Sequence, residues 1–421
     1  MIDIKIIREN PELITARLKS RGIASAAKIV NDLTELDLRR RKLIAESDKL
    51  KSIRNTVSDE IAMLKKKAEP AGDKIAEMKQ LSQQIKSAEE ELRQTENDIE
   101  KLIRDIPNIQ DDSVPEGKSA EDNVQLFIRG EKPEGDFKYL DHIELGKKLD
   151  ILDFSRGAKI TGSGFPFYKG KGAALERALI NFMLDRHRNN GYTEVFVPFI
   201  VNRESMETAE KVPKFEDDMY RTTDDLFLIP TAEVPIINIH RNEIIDEELL
   251  PLKYCGYTAC FRREAGSYGR ETKGFLRVHQ FNKVELINFC LPEQSYQQLD
   301  EMLNHACGIL DELNLYYRVI NICSADLGFA AAKQYDIEVW SPAENRWLEA
   351  SSVSNCTDFQ SRTGMIRTKR GGKTEFLHIL NGSGLATSRL FVSLIESYQT
   401  PEGKIVIPRA LQPYTNFEII G

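Results

Sequence analysis

Ten apolar residues spaced seven apart constrain the first quarter of this chain more than any other feature. Leu36, Leu43, Leu50, Val57 and Leu64 form one series, and Met78, Ile85, Leu92, Ile99 and Ile106 form a second. A seven-residue apolar repeat keeps one stripe in line along a helix and asks for a partner helix against that stripe. Between the two series stands Glu69-Pro70-Ala71-Gly72-Asp73, the one break by proline or glycine from Lys28 to Ile106. Two heptad helices broken once predict an antiparallel coiled-coil hairpin over about residues 28–106. At 1.5 Å per residue each limb runs roughly 50–60 Å. Such a stripe buries little surface, so the hairpin has to belong to something larger. Residues 1–26 are expected to form a short docking helix with a turn at Gly22, which makes 1–106 one N-terminal domain.

Residues 107–135 carry Pro107, Pro115 and Pro133 among many Asp, Glu and Ser residues, the composition of a linker. From about residue 136 to 421 helical and strand patterns mix. Leu175, Leu179, Phe182 and Met183 mark an amphipathic helix, followed by Gly191 and a strand running into Pro198. Thr258–Glu264 and Phe275–Ile287 alternate as long strands. Gly384 opens an apolar helix over Ala386–Tyr398. No βαβ alternation and no GxGxxG occurs, so the expected class is α+β, a mostly antiparallel sheet with helices on it. At 421 residues the chain has room for two to three domains, and this division narrows that to an arm and one large domain.

The six cysteines and six histidines show neither CxxC pairs nor structural zinc spacing, which points to a reduced protein without zinc. The start, MIDIKIIRENPEL, has no apolar signal core, and no run approaches the roughly 18 residues of a membrane span. A cytoplasmic location without membrane attachment is expected. The net charge of −8 argues at first against a nucleic-acid partner. Residues 27–105, however, hold 17 basic and 17 acidic side chains, and Arg39–Arg54 alone holds seven basic against two acidic. With Lys65-Lys66-Lys67 near the hairpin tip this offers a track for RNA. Pairing with acidic residues around Glu89–Glu100 on the return limb is the alternative use of the same charge.

The densest chemistry lies between Phe261 and Glu285. Read as a hairpin, its loop carries three glycines, Gly266, Gly269 and Gly274. Arg277, Phe281 and Glu285 share parity on the second strand, so one face offers a cation, an aromatic plate and a carboxylate in a row. Arg262 and Glu264 share parity on the first. This suits a ligand with phosphate, ring and amine parts; a solvated face with scattered salt bridges is the alternative. Asn381-Gly382-Ser383-Gly384, leading to Arg389, reads as a glycine-rich turn feeding a helix N-terminus, an anion-binding arrangement or an ordinary connection. Thr231-Ala232-Glu233 offers a hydroxyl and a carboxylate for an ammonium group. Glu349 and Ser352 offer hard oxygens for Mg²⁺. No Ser–His–Asp order is legible, and His279 is expected to be structural.

Taken together these stretches resemble the seryl-tRNA synthetases of bacterial type, a family of class II aminoacyl-tRNA synthetases, over essentially the whole chain. Arg262-x-Glu264 with Arg277-x-His279-Gln280-Phe281 is similar to the family's motif 2. Asn381–Arg389 is similar to motif 3, Ala173–Pro198 to the dimerisation motif 1, and Thr231-Ala232-Glu233 to the family's serine loop. Departures are Gly164-Phe165-Pro166-Phe167-Tyr168, Thr387-Ser388 and Arg263, none of which removes a matched functional side chain.

The resemblance implies an antiparallel-sheet class II catalytic domain over 136–421, preceded by a coiled-coil tRNA-binding arm. It implies a ligase that activates L-serine with ATP and loads it onto the 3′ end of tRNA-Ser and also tRNA-Sec. By the same likeness Arg262 holds the serine carboxylate and α-phosphate, Glu264 the adenine end, and Arg277 the γ-phosphate, with Val278 nearby in the ATP site. Phe281 and Arg389 sandwich the adenine. Glu349 and Ser352 ligate Mg²⁺, and Thr231, Glu233 and Glu285 surround the serine amine and hydroxyl with Asn381 and Ser383 close by. Arg262, Arg277 and Arg389 are the catalytic cations. A homodimer is implied, the arm of one subunit serving the site of the other.

Overall fold

The computed structural model describes residues 1–264 and 274–421. They divide into two compact units, residues 2–109 and residues 110–421 with Met1.

The first unit is helical. The expected single docking helix is two, α1 (Ile4–Glu9) and α2 (Pro11–Ser20), because Pro11 cannot continue α1 but starts α2 well. Asp3 caps α1 by accepting from the Lys5 N–H at 2.8 Å. The turn at Gly22 has φ +78°. The hairpin limbs are α3 (Ala26–Lys66) and α4 (Gly72–Arg104). None of the ten heptad residues is exposed. A second stripe completes the seam: Leu33, Arg40, Ser47, Arg54 and Ile61 on α3, and Leu81, Ala88, Thr95 and Leu102 on α4. Polar Ser47 and Thr95 are buried in it, a device that fixes register at some cost in stability. Asp37 is fully buried and accepts from Arg8 (3.2 Å), Arg40 (2.8 Å) and Arg41 (3.0 Å). Burial alone would raise its carboxyl, but the arginines outweigh this and hold it below the usual carboxylate range.

The second unit is built on one eight-stranded sheet. Its strands are β1 (Val124–Arg129), β2 (Thr193–Glu194), β3 (Leu252–Phe261), β4 (Gln280–Cys290), β5 (Tyr317–Asn321), β6 (Lys333–Ser341), β7 (Arg346–Asn355) and β8 (His378–Ala386). The spatial order is β1-β5-β6-β7-β8-β4-β3-β2. Every neighbouring pair is antiparallel except β2 with β3. Helices α5 (Lys171–Asn189), α6 (Arg203–Thr208), α7 (Glu233–Ile237), α8 (Ser295–Glu312) and α9 (Thr387–Ser397) complete the frame used below. Leu179 and Phe182 of α5, Met302 and Leu310 of α8, and Leu390 and Phe391 of α9 bury against Leu286, Val339 and Val353 of the sheet. Each such fully buried side chain contributes about 1.5–3 kcal/mol. Along β4, residues 282, 284 and 286 face these helices, leaving Phe281, Lys283 and Glu285 on the opposite face.

Four expectations change. The segment 107–135 is not only a connection: Val124–Arg129 is an edge strand of the main sheet. The two long strands run Leu252–Phe261 and Gln280–Cys290, so Arg262–Glu264 and Phe275–His279 lie beyond their ends. Strand parity therefore holds for Phe281 and Glu285 and not for Arg277. Asn381–Ala386 is not a turn but part of β8, paired with β4 and β7. Its glycines serve close approach: a Cβ on Gly384 would lie 2.5 Å from His187 Nε2, and one on Gly382 would lie 3.0 Å from Met302 Sδ. The strand into Pro198 pairs only over Thr193–Glu194. The glycine loop at 265–273, with Gly266 and Gly269, lies outside the described residues.

Candidate active site

All thirteen side chains singled out in the sequence line one cavity of about 510 Å³ on the sheet face opposite α5, α8 and α9. It is set by three neighbouring strands, β7, β8 and β4, and by the ends of the segments that flank them. Among the described residues five cations line it: Lys211, Arg262, Lys283, Arg277 and Arg389. Such a density of positive charge with acidic residues between suits a zwitterion or a polyphosphate.

One end gathers buried carboxylates. Thr231 Oγ1 donates to Glu285 Oε2 at 3.0 Å, and Lys283 Nζ donates to Thr231 Oγ1 at 2.9 Å while pairing with Glu285. Glu233 starts α7, and its backbone N–H donates to Thr231 Oγ1 at 3.2 Å. Its Oε1 accepts from Gln360 Nε2 at 2.6 Å and Asn381 Nδ2 at 3.4 Å, and its Oε2 meets Lys211 Nζ at 2.9 Å. Asn381 Nδ2 also reaches Cys356 Sγ at 3.3 Å. The two carboxylates are tuned in opposite directions. Burial raises Glu233, but Lys211, Gln360 and Lys283 together outweigh it and leave the carboxyl below the usual range. Burial dominates at Glu285, which stays raised in spite of Lys283, with the charge of Glu233 adding to the effect.

The middle is held by the segments beyond β3 and before β4. Arg262 lies with its guanidinium 5.0 Å from the centre of the Phe281 ring and donates from Nε to Pro230 O at 3.3 Å. His279 braces it: Nδ1–H donates to Arg262 O at 3.0 Å, and the His279 N–H donates to Gly164 O at 2.8 Å. Gly164 has φ +80°, and a Cβ there would lie 2.6 Å from His279. Arg277 pairs with Glu264, which adopts a left-handed φ of +52°. Such a conformation in a residue other than glycine costs on the order of 1 kcal/mol and persists only where its surroundings hold it. Val278 is buried beside them.

The far end carries hard oxygen donors. Glu349 and Ser351 flank a bulge in β7, and Ser352 follows it. Asp336 of β6 stands opposite Ser352 in register and is buried. Burial, then the nearby Glu349 charge, push its carboxyl up to about 8. Carboxyl and hydroxyl oxygens gathered in this way are the donor type that a divalent cation takes. Among the described residues no set of three His, Cys, Asp or Glu forms a cage, and Mg²⁺ ordinarily takes few protein ligands and completes its shell from phosphates and water. Arg389, in the first turn of α9, donates to Leu276 O at 3.2 Å and Glu349 O at 2.8 Å.

Reading the sequence missed Lys211, Lys283, Asp336, Cys356 and Gln360. Lys283 was within reach, since it lies between Phe281 and Glu285 with their parity. Asp336 alternates with Gln334 and Glu338 on β6, a pattern that a solvated strand shares. Lys211 and Gln360 come from segments without periodicity.

Residues 214–398 match the tRNA synthetase class II core domain (G, H, P, S and T), and residues 1–110 match the seryl-tRNA synthetase N-terminal domain. The serine–tRNA ligase of Chlorobaculum parvum is 54% identical over 428 residues, with 100% of each chain covered. Among solved structures, seryl-tRNA synthetase from Pyrococcus horikoshii complexed with ATP is 38% identical, with a TM-score of 0.95 and coverage of 100% of this chain and 99% of that one. The cytoplasmic serine–tRNA ligase of Naegleria fowleri in complex with AMP is 32% identical, with a TM-score of 0.89 and coverage of 100% and 98%.

Proposed function

The chain belongs to the seryl-tRNA synthetase family, and from that premise we propose that it is a serine–tRNA ligase whose cavity forms seryl-adenylate from L-serine and ATP. The observation that carries the reading is the order of groups along the cavity. Buried carboxylates with Thr231 stand at one end, Arg262 over Phe281 in the middle, and Arg277, Arg389, Glu349 and Ser352 beyond.

In the first step a serine carboxylate oxygen attacks the α-phosphorus. A P–O bond to the β-phosphate breaks and pyrophosphate leaves. The nucleophile is already ionised at pH 7, so no general base is needed, and catalysis rests on positioning and charge stabilisation. Glu233 takes the serine ammonium, and Thr231 and Glu285 take the hydroxyl, with Asn381 and Ser383 closing the pocket. Arg262 binds the serine carboxylate and the α-phosphate. Phe281 and Arg389 hold the adenine between them, with Glu264 at its edge. Arg277 takes the γ-phosphate of a bent ATP, which requires it to exchange Glu264 for phosphate. Glu349 and Ser352 would hold Mg²⁺, which neutralises phosphate charge when bound; Asp336 lies beneath them. In the second step the 3′-OH of the terminal tRNA ribose attacks the seryl carbonyl, and AMP leaves.

The helical hairpin is the tRNA-binding arm in this reading. Lys42, Lys49 and Arg54 and the tip residues Lys65, Lys66 and Lys67 have no ion-pair partner among the described residues. Arg39 and Lys51 pair with Glu91 and Glu89 of the other limb. The unpaired cations suit tRNA-Ser and tRNA-Sec. The working form is a cytoplasmic homodimer; among the described residues no helix is long and apolar enough to cross a membrane. Charging of tRNA with labelled serine tests the function. The expected product is an ATP-dependent, base-labile ester on tRNA, and failure to label tRNA would contradict the assignment.

A further inference from the structure

Glu233 is buried and fully partnered, yet the reading above gives it the serine ammonium. Its Oε1 is taken by Gln360 and Asn381, and its Oε2 by Lys211. A new cation at Oε2 therefore meets an ammonium already in place. The two lysines of this end differ in how they are held. Lys283 belongs to β4, is nearly buried, and is pinned between Thr231 and Glu285. Lys211 follows α6 in the segment whose Glu210, Phe215, Asp218 and Met219 form one wall of the cavity, and its side chain is 24% exposed against 8% for Glu233. Its head can reach water without disturbing the sheet; that of Lys283 cannot.

We propose that Lys211 is a resident counter-ion of Glu233 that the substrate ammonium displaces, so that it weakens serine binding and sets the serine concentration at which the site fills. Two consequences of like charge and burial act in the same direction. With Lys211 present, the incoming ammonium is repelled at close range in a partly desolvated site. With Lys211 neutralised, the empty pocket holds a buried carboxylate that lacks its main cation, a costly state that substrate relieves. Lys211 thus keeps the empty pocket intact at the expense of affinity. It also discriminates: a carboxylic acid without an amine cannot replace it on Glu233, so Lys211 stays and the subsite remains closed to that molecule.

The inference rests on the serine-activating reading, and the test separates the two. Serine-dependent exchange of pyrophosphate into ATP is measured at saturating ATP for the full chain, Lys211→Met and Lys211→Arg, together with the serine-induced shift in Tm. Lys211→Met is expected to lower the KM for serine about fivefold or more and to show a larger serine-induced rise in Tm than wild type. Lys211→Arg, which keeps the charge, should not show the fall in serine KM expected of Lys211→Met. If Lys211→Met does not yield folded protein, Lys211→Gln replaces it, with the same expected fall in KM. Wild-type exchange with an unchanged or raised serine KM in the neutral variant overturns the role of Lys211 alone. Absence of serine-dependent exchange in wild type overturns the reading of the site and the inference with it.

Discussion

Glu285 and Glu233 present the same chemical group to the cavity in different electrostatic states, Glu285 raised by burial and Glu233 lowered, against its burial, by Lys211 together with Gln360 and Lys283. A site that must accept serine and reject alanine benefits from a buried acceptor that is left unpaired without the hydroxyl. On the proposed assignment, Glu285→Ala lowers kcat/KM for serine by at least about a hundredfold while the circular dichroism spectrum is kept; wild-type exchange in that variant would refute the role of Glu285. A second buried carboxyl supports the site from behind. Glu176 of α5 accepts from Asn282 Nδ2 at 2.7 Å and from Thr387 Oγ1, tying α5 to the strand of Phe281 and the helix of Arg389. Burial pushes it up to about 7, against those hydrogen bonds. Because the folded value lies above the unfolded one, its contribution to stability is full below about pH 4.5 and is lost as pH rises through about 7. Glu176→Gln should therefore match wild type in Tm near pH 5 and have the higher Tm near pH 8.5, with a stability gain of roughly 3 kcal/mol at most; a Tm difference independent of pH would contradict this. The aligned residues Phe281 and Glu285 were legible because one strand carries both. Glu176 was not, because a glutamate on an amphipathic helix normally faces water, and only the tertiary fold puts it inside.

At the scale of elements, the heptad hairpin was the most legible part of the chain, since a single repeat fixes helix, partner and break together. What the repeat did not disclose was its second stripe, where Arg40, Ser47, Arg54 and Thr95 interrupt the apolar pattern. Asp37 illustrates the energetics of such polar burial. Asp37→Ala leaves Arg8, Arg40 and Arg41 without their shared anion, and because these arginines reach water the expected loss is about 1–2 kcal/mol of stability, read as a lower midpoint of the helical unit in urea; a change within experimental scatter would show that water replaces the anion fully. In the sheet unit the errors had a common origin. Glycines at 382 and 384 were read as turn formers, although they belong to a strand where helices α5 and α8 leave no room for a Cβ. Phe275–His279 alternates like a strand, but its residues are tied to others: the Phe275 N–H donates to His142 Nε2 at 3.2 Å, and His279 to Gly164. Local alternation cannot distinguish a ladder from a braced segment.

For the whole molecule, net charge is a poor guide because it averages two differently patterned units. The arm is neutral in sum, and among the described residues the densest run of basic side chains, Arg39–Arg54, lies on its outgoing limb. The proposal that this unit binds tRNA and the other activates serine separates cleanly in experiment. Deleting residues 28–105 should leave serine-dependent exchange in place and abolish charging of tRNA; full charging by that variant would remove the arm from the mechanism. The central claim, that the cavity selects serine by the hydroxyl and ammonium together and joins it to AMP, is tested most directly by pyrophosphate exchange into ATP across a panel of the twenty amino acids. Exchange that depends on serine, with alanine and threonine far behind, is the predicted result. No exchange with serine, or faster exchange with any other amino acid, would contradict it.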